Sequence, residues 1–196
     1  MIYLIGGAPR TGKTILAQRM AARLGIGWMS TDLLVDLLRV AAVPGIQSEW
    51  DAAPGAITAA AEWFFPYLER FVGGVAYLAD GFVVEGVGFL PHHVARLSDK
   101  CAIRSLFLGC STMTIERLDR FPGRSAGYAS LPEAMRLQIA RDVPRWSRFI
   151  RREAQRFDCP YLDMGDNFPQ RLMEAEAALL TTVNERSVGG KGTKER

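Results

Sequence analysis

No run of apolar residues in this 196-residue chain approaches the roughly 20 needed to span a bilayer. No basic stretch followed by an apolar one opens it, so no secretory signal is expected. Cysteine is scarce: Cys101, Cys110 and Cys159 are odd in number and lack C-x-x-C spacing, which argues against a disulfide framework and a zinc site. Histidine is scarcer, with only His92 and His93. Neighbours in sequence leave a helix on different faces, so the pair reads as surface or packing residues rather than metal ligands. There are no internal repeats. No Asn-Lys-x-Asp step is present, which counts against a guanine-nucleotide switch. The expected compartment is a reducing cytoplasm, with no membrane partner.

What remains is ordinary for a soluble globular protein, with 48% apolar and 23% charged residues, and the length suits one α/β domain. The net charge of +3 hides an uneven distribution. From Arg117 to Arg156 ten arginines face four acids, making that segment +6 and the rest −3. Arginine suits forked contacts with phosphate, although most of such a run is expected to be a solvated helix face. A nucleic-acid-binding role for the segment is disfavoured by its few interleaved aromatics.

The most informative stretch is Gly7-Ala8-Pro9-Arg10-Thr11-Gly12-Lys13-Thr14, behind Ile2-Tyr3-Leu4-Ile5 and ahead of Ile15-Leu16-Ala17. It matches G-x-x-x-x-G-K-[ST] between a strand and a helix, where a phosphate cradle must stand. Gly7 and Gly12 permit backbone angles and close approaches that a Cβ forbids. The amides between them can turn toward phosphate oxygens, helped by the positive end of the helix that follows. In this reading Lys13 reaches the β- and γ-phosphates, and the Thr14 hydroxyl coordinates Mg²⁺.

Further along, Trp28-Met29-Ser30 reads as a short strand and Leu33 to Val40 as a helix. Thr31 or Asp32 is then an ordinary helix N-cap, or Asp32 is a carboxylate at a strand's carboxyl end, placed to take a proton from an attacking hydroxyl. Residues 56–72 have helical periodicity, and Trp63, Phe64, Phe65 and Tyr67 read as core more readily than as a substrate pocket. After Gly73-Gly74, either Val75 to Asp80 is a strand ending in an acid, or the helix runs on to about Ala79 and Phe82-Val83-Val84-Glu85 is the strand. The second is favoured, which makes Glu85 the acid near Mg²⁺ and holds Asp80 in reserve. Pro91 opens a short helix, Ala102 to Leu108 is a strand, and Ser111 to Glu116 resembles a capped helix start. Arg117 to Tyr128 has the composition of a lid that closes over phosphates, or of a basic surface loop. A long helix from Leu131-Pro132-Glu133 to about Phe157 is expected to bend near Pro144. Pro160 to Met164 is the last strand, Phe168 to about Val183 the last helix, and residues 184–196 a disordered tail. The alternation predicts a three-layer α/β fold: a five-stranded parallel sheet with helices on both faces.

Together, the Gly7–Thr14 loop, Ser30-Thr31-Asp32 with Arg39 one helix later, Val84-Glu85-Gly86 and the arginine-rich lid resemble the nucleoside-monophosphate-kinase-like P-loop kinases. More narrowly, Ser30-Thr31-Asp32 and Val84-Glu85-Gly86-Val87 with Leu90-Pro91 are similar to 2-phosphoglycerate kinase-like proteins. The place of Asp32 also resembles chloramphenicol phosphotransferase and zeta-toxin kinases. The resemblance covers about residues 1–180. It implies ATP and Mg²⁺ on the Gly7, Ala8, Pro9, Arg10, Thr11, Gly12, Lys13 and Thr14 loop. It further implies Asp32 as general base or substrate anchor, Arg39 on an anionic group of the acceptor, and Glu85 near Mg²⁺. Arg117, Arg120 and Arg124 become lid cations, Arg117 on the nucleotide and the other two catalytic. One kinase domain over 1–183 follows, with an acceptor-binding insertion at about 32–80 and a lid at about 117–145. Adenylate kinases have Thr-Gly-Asp and Asp-Gly-Phe-Pro-Arg segments where this chain has Thr31-Asp32 and Glu85-Gly86-Val87-Gly88. The expected reaction is therefore transfer of the γ-phosphate of ATP to a hydroxyl of a small molecule. Nucleoside-monophosphate phosphorylation, or nucleotide binding without turnover, is the alternative.

Overall fold

A computed structural model describes residues 1–45, 51–78, 80–121 and 127–181. Arg124 and the expected C-terminal tail lie outside the described residues. Five parallel strands form one sheet in the order β2-β3-β1-β4-β5. They are β1 (Ile2–Gly7), β2 (Gly27–Ser30), β3 (Phe82–Glu85), β4 (Ile103–Gly109) and β5 (Tyr161–Asp163). The helices are α1 (Lys13–Leu24), α2 (Thr31–Val40), α3 (Pro54–Val75), α4 (Pro91–Ser98), α5 (Ile115–Arg120), α6 (Glu133–Arg156) and α7 (Phe168–Leu180).

Strand β1 is central, and every one of its residues is buried. A strand covered on both faces needs no polar alternation, yet its side chains still divide by twos. Ile2 and Leu4 join Val84 and Phe107 in the core under α3, α4 and α6, with Phe64, Leu68, Leu97 and Ile150. Tyr3 and Ile5 join Val83, Leu106 and Leu108 under α1 and α7, with Leu16, Met20, Leu172 and Leu179. That is the expected three-layer arrangement. A third, smaller core of Cys110, Met113, Leu118, Tyr128, Ala140 and Val143 joins α5 to α6.

Register sets the level of the site. Ile5 pairs with Glu85, and Glu85 with Ser30, so β1, β2 and β3 end almost together. Gly7 pairs with Leu108, and Gly109 with Asp163, which carries the same edge across to β5. The carboxyl ends of parallel strands are where an open α/β sheet binds ligands.

Of the two assignments after Gly73-Gly74, the second holds. Helix α3 ends at Val75, a few residues short of the expected Ala79, and β3 is Phe82–Glu85. Asp80 is exposed and precedes β3, at the opposite edge of the sheet from the Gly7–Thr14 loop, so it is no rival to Glu85. Helix α6 runs through Pro144 without an assigned break.

Candidate active site

Loop geometry comes first. Gly7 has φ of 122°, and a Cβ there would strike the main-chain oxygen of Leu108 on β4. The same crowding lets Ala8 N–H donate to Leu108 O at 2.9 Å, pinning the loop's first residue to the sheet. Thr11 Oγ1 donates to Ala8 O at 2.8 Å, closing the loop on itself. Gly12, with φ of 89°, turns the chain into α1. Lys13 is buried, and its Nζ donates to Ala8 O at 2.6 Å. Burial lowers its pKa, the carboxylates of Glu85 and Asp32 oppose that, and Arg10 adds to it. The lysine thus lies folded over the cradle, facing two acids.

One of those acids is held in place by two neighbouring elements, α1 and β2. Thr14 Oγ1 donates to Glu85 Oε1 at 3.0 Å. Ser30, opposite Glu85 in the β2–β3 register, gives it a second side-chain hydrogen bond. Burial raises the Glu85 pKa; Lys13 and the bonds from Ser30 and Thr14 oppose this, and Asp32 reinforces it. A hydroxyl and a carboxylate oxygen side by side form an oxygen donor set suited to a hard cation such as Mg²⁺.

Asp32 is placed by the start of α2. Neither Thr31 nor Asp32 is the N-cap; Ser30 is, its Oγ accepting from Asp32 N–H at 3.3 Å. Ser30 wins because its extended backbone ends β2, while Thr31 is already helical and fully buried. The Thr31 hydroxyl accepts from Gly88 N–H at 3.3 Å, which ties α2 to the segment after β3. Asp32 is left exposed, on the wall of a cavity of about 390 Å³. Val35, Arg39, Ile57, Phe64, Val87 and Trp146 are among its other lining residues. Arg39 is paired with Asp36 at 2.7 Å on the same helix, so it reaches an incoming anion only by leaving that partner. Of the α3 aromatics, Phe64 and Phe65 are core as expected, but Trp63 and Phe64 also line this cavity. Tyr67 does not; it is exposed, with its ring tilted against Trp63 at 5.4 Å.

The lid residues are more tied down than their composition indicates. Arg117, on α5, donates to the main-chain oxygens of Gly165 and, at 2.7 Å, of Met164. In this conformation it braces α5 against the loop after β5. Asp163 Oδ1 steadies that loop by accepting from Ser111 N–H at 3.2 Å and Gly165 N–H at 2.9 Å. Arg120 is exposed, with its guanidinium 5.3 Å from the Phe121 ring centroid. Beyond the 122–126 stretch, Tyr128 is buried and donates to Asp119 Oδ1 at 3.1 Å, which also accepts from Arg136 at 2.6 Å. The Arg10 guanidinium of the phosphate loop lies 4.7 Å over the Tyr128 ring. Tyr128 therefore links the Gly7–Thr14 loop to α5 and α6, a contact that no spacing in the sequence announces.

His93 is a packing residue, within the expected reading, but the two rings turn toward one carboxylate rather than to different faces. Among the described residues, Glu62, His92 and His93 bring their ligating atoms within 4.8 Å of one another. Glu62 on α3 lies over the first turn of α4 and meets His92 at 2.6 Å and His93 at 3.1 Å. Chemistry still argues against a metal there. Leu90 N–H donates to His93 Nδ1 at 3.2 Å, so the ring proton is on Nε2 and points at Glu62. A metal at Nε2 would force that proton onto Nδ1, against the Leu90 amide.

No protein-family model matches the chain, and neither does any curated protein. Among solved structures, a gluconokinase from Sinorhizobium meliloti 1021 superposes with a TM-score of 0.55 at 14% identity, over 91% of this chain and 90% of that one. A shikimate kinase from Bacteroides thetaiotaomicron gives 0.48 at 13% identity, over 91% and 95%. One from Aquifex aeolicus vf5 gives 0.47 at 14%, with the same coverages. At such identity the gluconokinase likeness speaks to architecture alone, and what it establishes is that this chain has the three-layer fold of the P-loop kinases.

Proposed function

We propose that the chain is an ATP-dependent phosphotransferase that moves the γ-phosphoryl group to a hydroxyl of a small molecule. One observation carries this reading: Asp32 acts electrostatically on both Lys13 and Glu85 and also lines the 390 Å³ cavity. The phosphate cradle and a partly open pocket thus meet at one carboxylate. An acceptor in that pocket would present its hydroxyl beside Asp32, with the phosphate loop behind it.

The residues divide the work as follows. The amides from Ala8 to Thr14 and the start of α1 bind the phosphate chain. Lys13 exchanges Ala8 O for phosphate oxygens, and its charge follows the γ-phosphoryl group through transfer. The acceptor oxygen attacks phosphorus, the bond from phosphorus to the β,γ-bridging oxygen breaks, and the hydroxyl proton passes to Asp32 as ADP leaves. Thr14 and Glu85 would hold Mg²⁺, which neutralises phosphate charge when bound. Phe64, Val87 and Trp146 keep the pocket wall apolar and limit water beside the reacting group. The reading of residues 32–80 as acceptor-binding and 117–145 as lid belongs to the same proposal.

The test is incubation with ATP, Mg²⁺ and a fractionated metabolite extract, followed by mass spectrometry for the gain of one phosphate. Lys13→Ala is expected to lower that transfer at least a hundredfold while leaving the circular dichroism spectrum unchanged. Wild-type turnover in the variant would end the proposal.

A further inference from the structure

Beside the acceptor pocket lies a second cavity, of about 490 Å³, that no step above uses. One wall is α6, which presents Arg145, Arg148 and Arg152 at i, i+3 and i+7, hence on one face. The opposite wall is Asp51 to Pro54, the approach to α3 and its first residue. The two cavities adjoin: Asp51 lines both, and Trp146, next to Arg145, lines the acceptor pocket.

Among the described residues lining this cleft, three arginines stand against two acids. Asp142 is buried and has Arg145 at 3.6 Å. Asp51 Oδ1 accepts from Ala53 N–H at 2.7 Å. Both described acids thus have local partners, although the amide at Asp51 leaves its charge in place. Arg148 and Arg152 are exposed, and among the described residues neither has an ion pair or a hydrogen bond. The positive end of the 22-residue α3 adds to the same side of the balance. All three arginines are solvent-accessible, as on any basic helix face. What sets them apart is that they wall a concavity which shares Asp51 with the pocket lined by Asp32.

We propose that the acceptor carries an oxyanion, a carboxylate or a phosphate ester, which Arg148 and Arg152 hold in this cleft while the acceptor's hydroxyl lies at Asp32. This rests on the phosphotransferase reading of the neighbouring pocket. Two guanidinium forks facing one helix start suit a planar carboxylate or a tetrahedral phosphate, and give an uncharged polyol nothing comparable. The acceptor class is then an anionic hydroxy compound: a hydroxy acid or a polyol phosphate.

The experiment is a calorimetric titration of the full chain without nucleotide, using glycerate, gluconate, glycerol 3-phosphate and glycerol. At least one of the three anions is expected to bind about tenfold or more tightly than glycerol. Which anion binds separates a carboxylate from a phosphate ester. In Arg148→Gln/Arg152→Gln that preference is expected to fall about tenfold, with partial recovery in Arg148→Lys/Arg152→Lys. ATP affinity should not change, which also shows that the variants are folded. Anions binding no better than glycerol, or equal anion binding by the Gln variant, overturns the proposal. Anion binding that depends on both arginines, in a protein that never transfers phosphate, would instead retain the cleft and remove the kinase reading.

Discussion

Lys13 and Glu85 show how burial primes single side chains. Each lies in a place that disfavours its charge, and each is opposed by the other. Arg10 is the one sequence neighbour that contributes; the rest of the tuning comes from burial and from β-sheet register, which puts Glu85 beside Thr14 and Ser30. A glycine fixes the same contact from the other side. Gly86 has φ of 149°, and a Cβ there would collide with the Thr31 hydroxyl. Gly86→Ala is therefore expected to cost on the order of 3 kcal/mol in stability, through backbone strain and displacement of α2. Urea denaturation measures this, and an unchanged midpoint would show that Thr31 does not hold Asp32 where it lies. At this scale the sequence was readable where a fixed spacing exists, as in Gly7 to Thr14. Ser30 was missed as the cap because Ser-Thr-Asp offers three capping residues in a row, and only the end of β2 chooses among them.

Among elements, the α3–α4 contact has its own chemistry. His93 is fully buried on α4 and stacked on Phe65 of α3 at 4.4 Å. Burial, reinforced by neighbouring His92 and by Arg96, pushes its pKa down to about 4, although Glu62 works the other way. Hydrogen bonds to His92 and His93 outweigh burial at Glu62 and hold its carboxyl below the ordinary value. For His93 the unfolded chain binds the proton more readily than the folded one. Its contribution is complete above about pH 6.5, the ordinary value for a histidine, and is lost as the pH falls from there toward about 4. Stability over that window should decline by up to about 1.4 kcal/mol per pH unit from this group. Denaturant midpoints between pH 7 and pH 4.5 measure it, with His93→Asn expected to flatten the slope whatever its own stability. An equal slope in both proteins would assign the acid sensitivity elsewhere. The elements themselves were legible, because Pro91 opens α4 and the apolar spacing of α3 marks its buried face. The convergence of both rings on Glu62 was not, since it depends on how two helices cross. The Arg145, Arg148 and Arg152 spacing was present in the sequence as one helical face, but nothing there showed that a cavity lay beneath it.

Across the whole molecule, a five-stranded parallel sheet brings residues from four separate stretches to one edge. Strand order puts β1 at the centre, so the phosphate loop has β3 and its Glu85 on one side and β4 on the other. Alternating apolar and helical patterns foretold the layers, because a strand buried on both faces reads as a continuous apolar run. The 390 Å³ cavity was legible only in part: the stretch 32–80 supplies its α2 and α3 walls, but Val87, Gly88 and Trp146 come from the segment after β3 and from α6, which no local pattern joins to it. The account's central claim is that Asp32 joins the cradle to that pocket as the group that takes the hydroxyl proton. Single-turnover transfer of labelled γ-phosphate to the acceptor, in wild type and in Asp32→Asn at saturating ATP and Mg²⁺, tests it most directly. The account predicts unchanged nucleotide affinity and a transfer rate lower by about a hundredfold or more in the variant. Transfer at the wild-type rate in Asp32→Asn would contradict it.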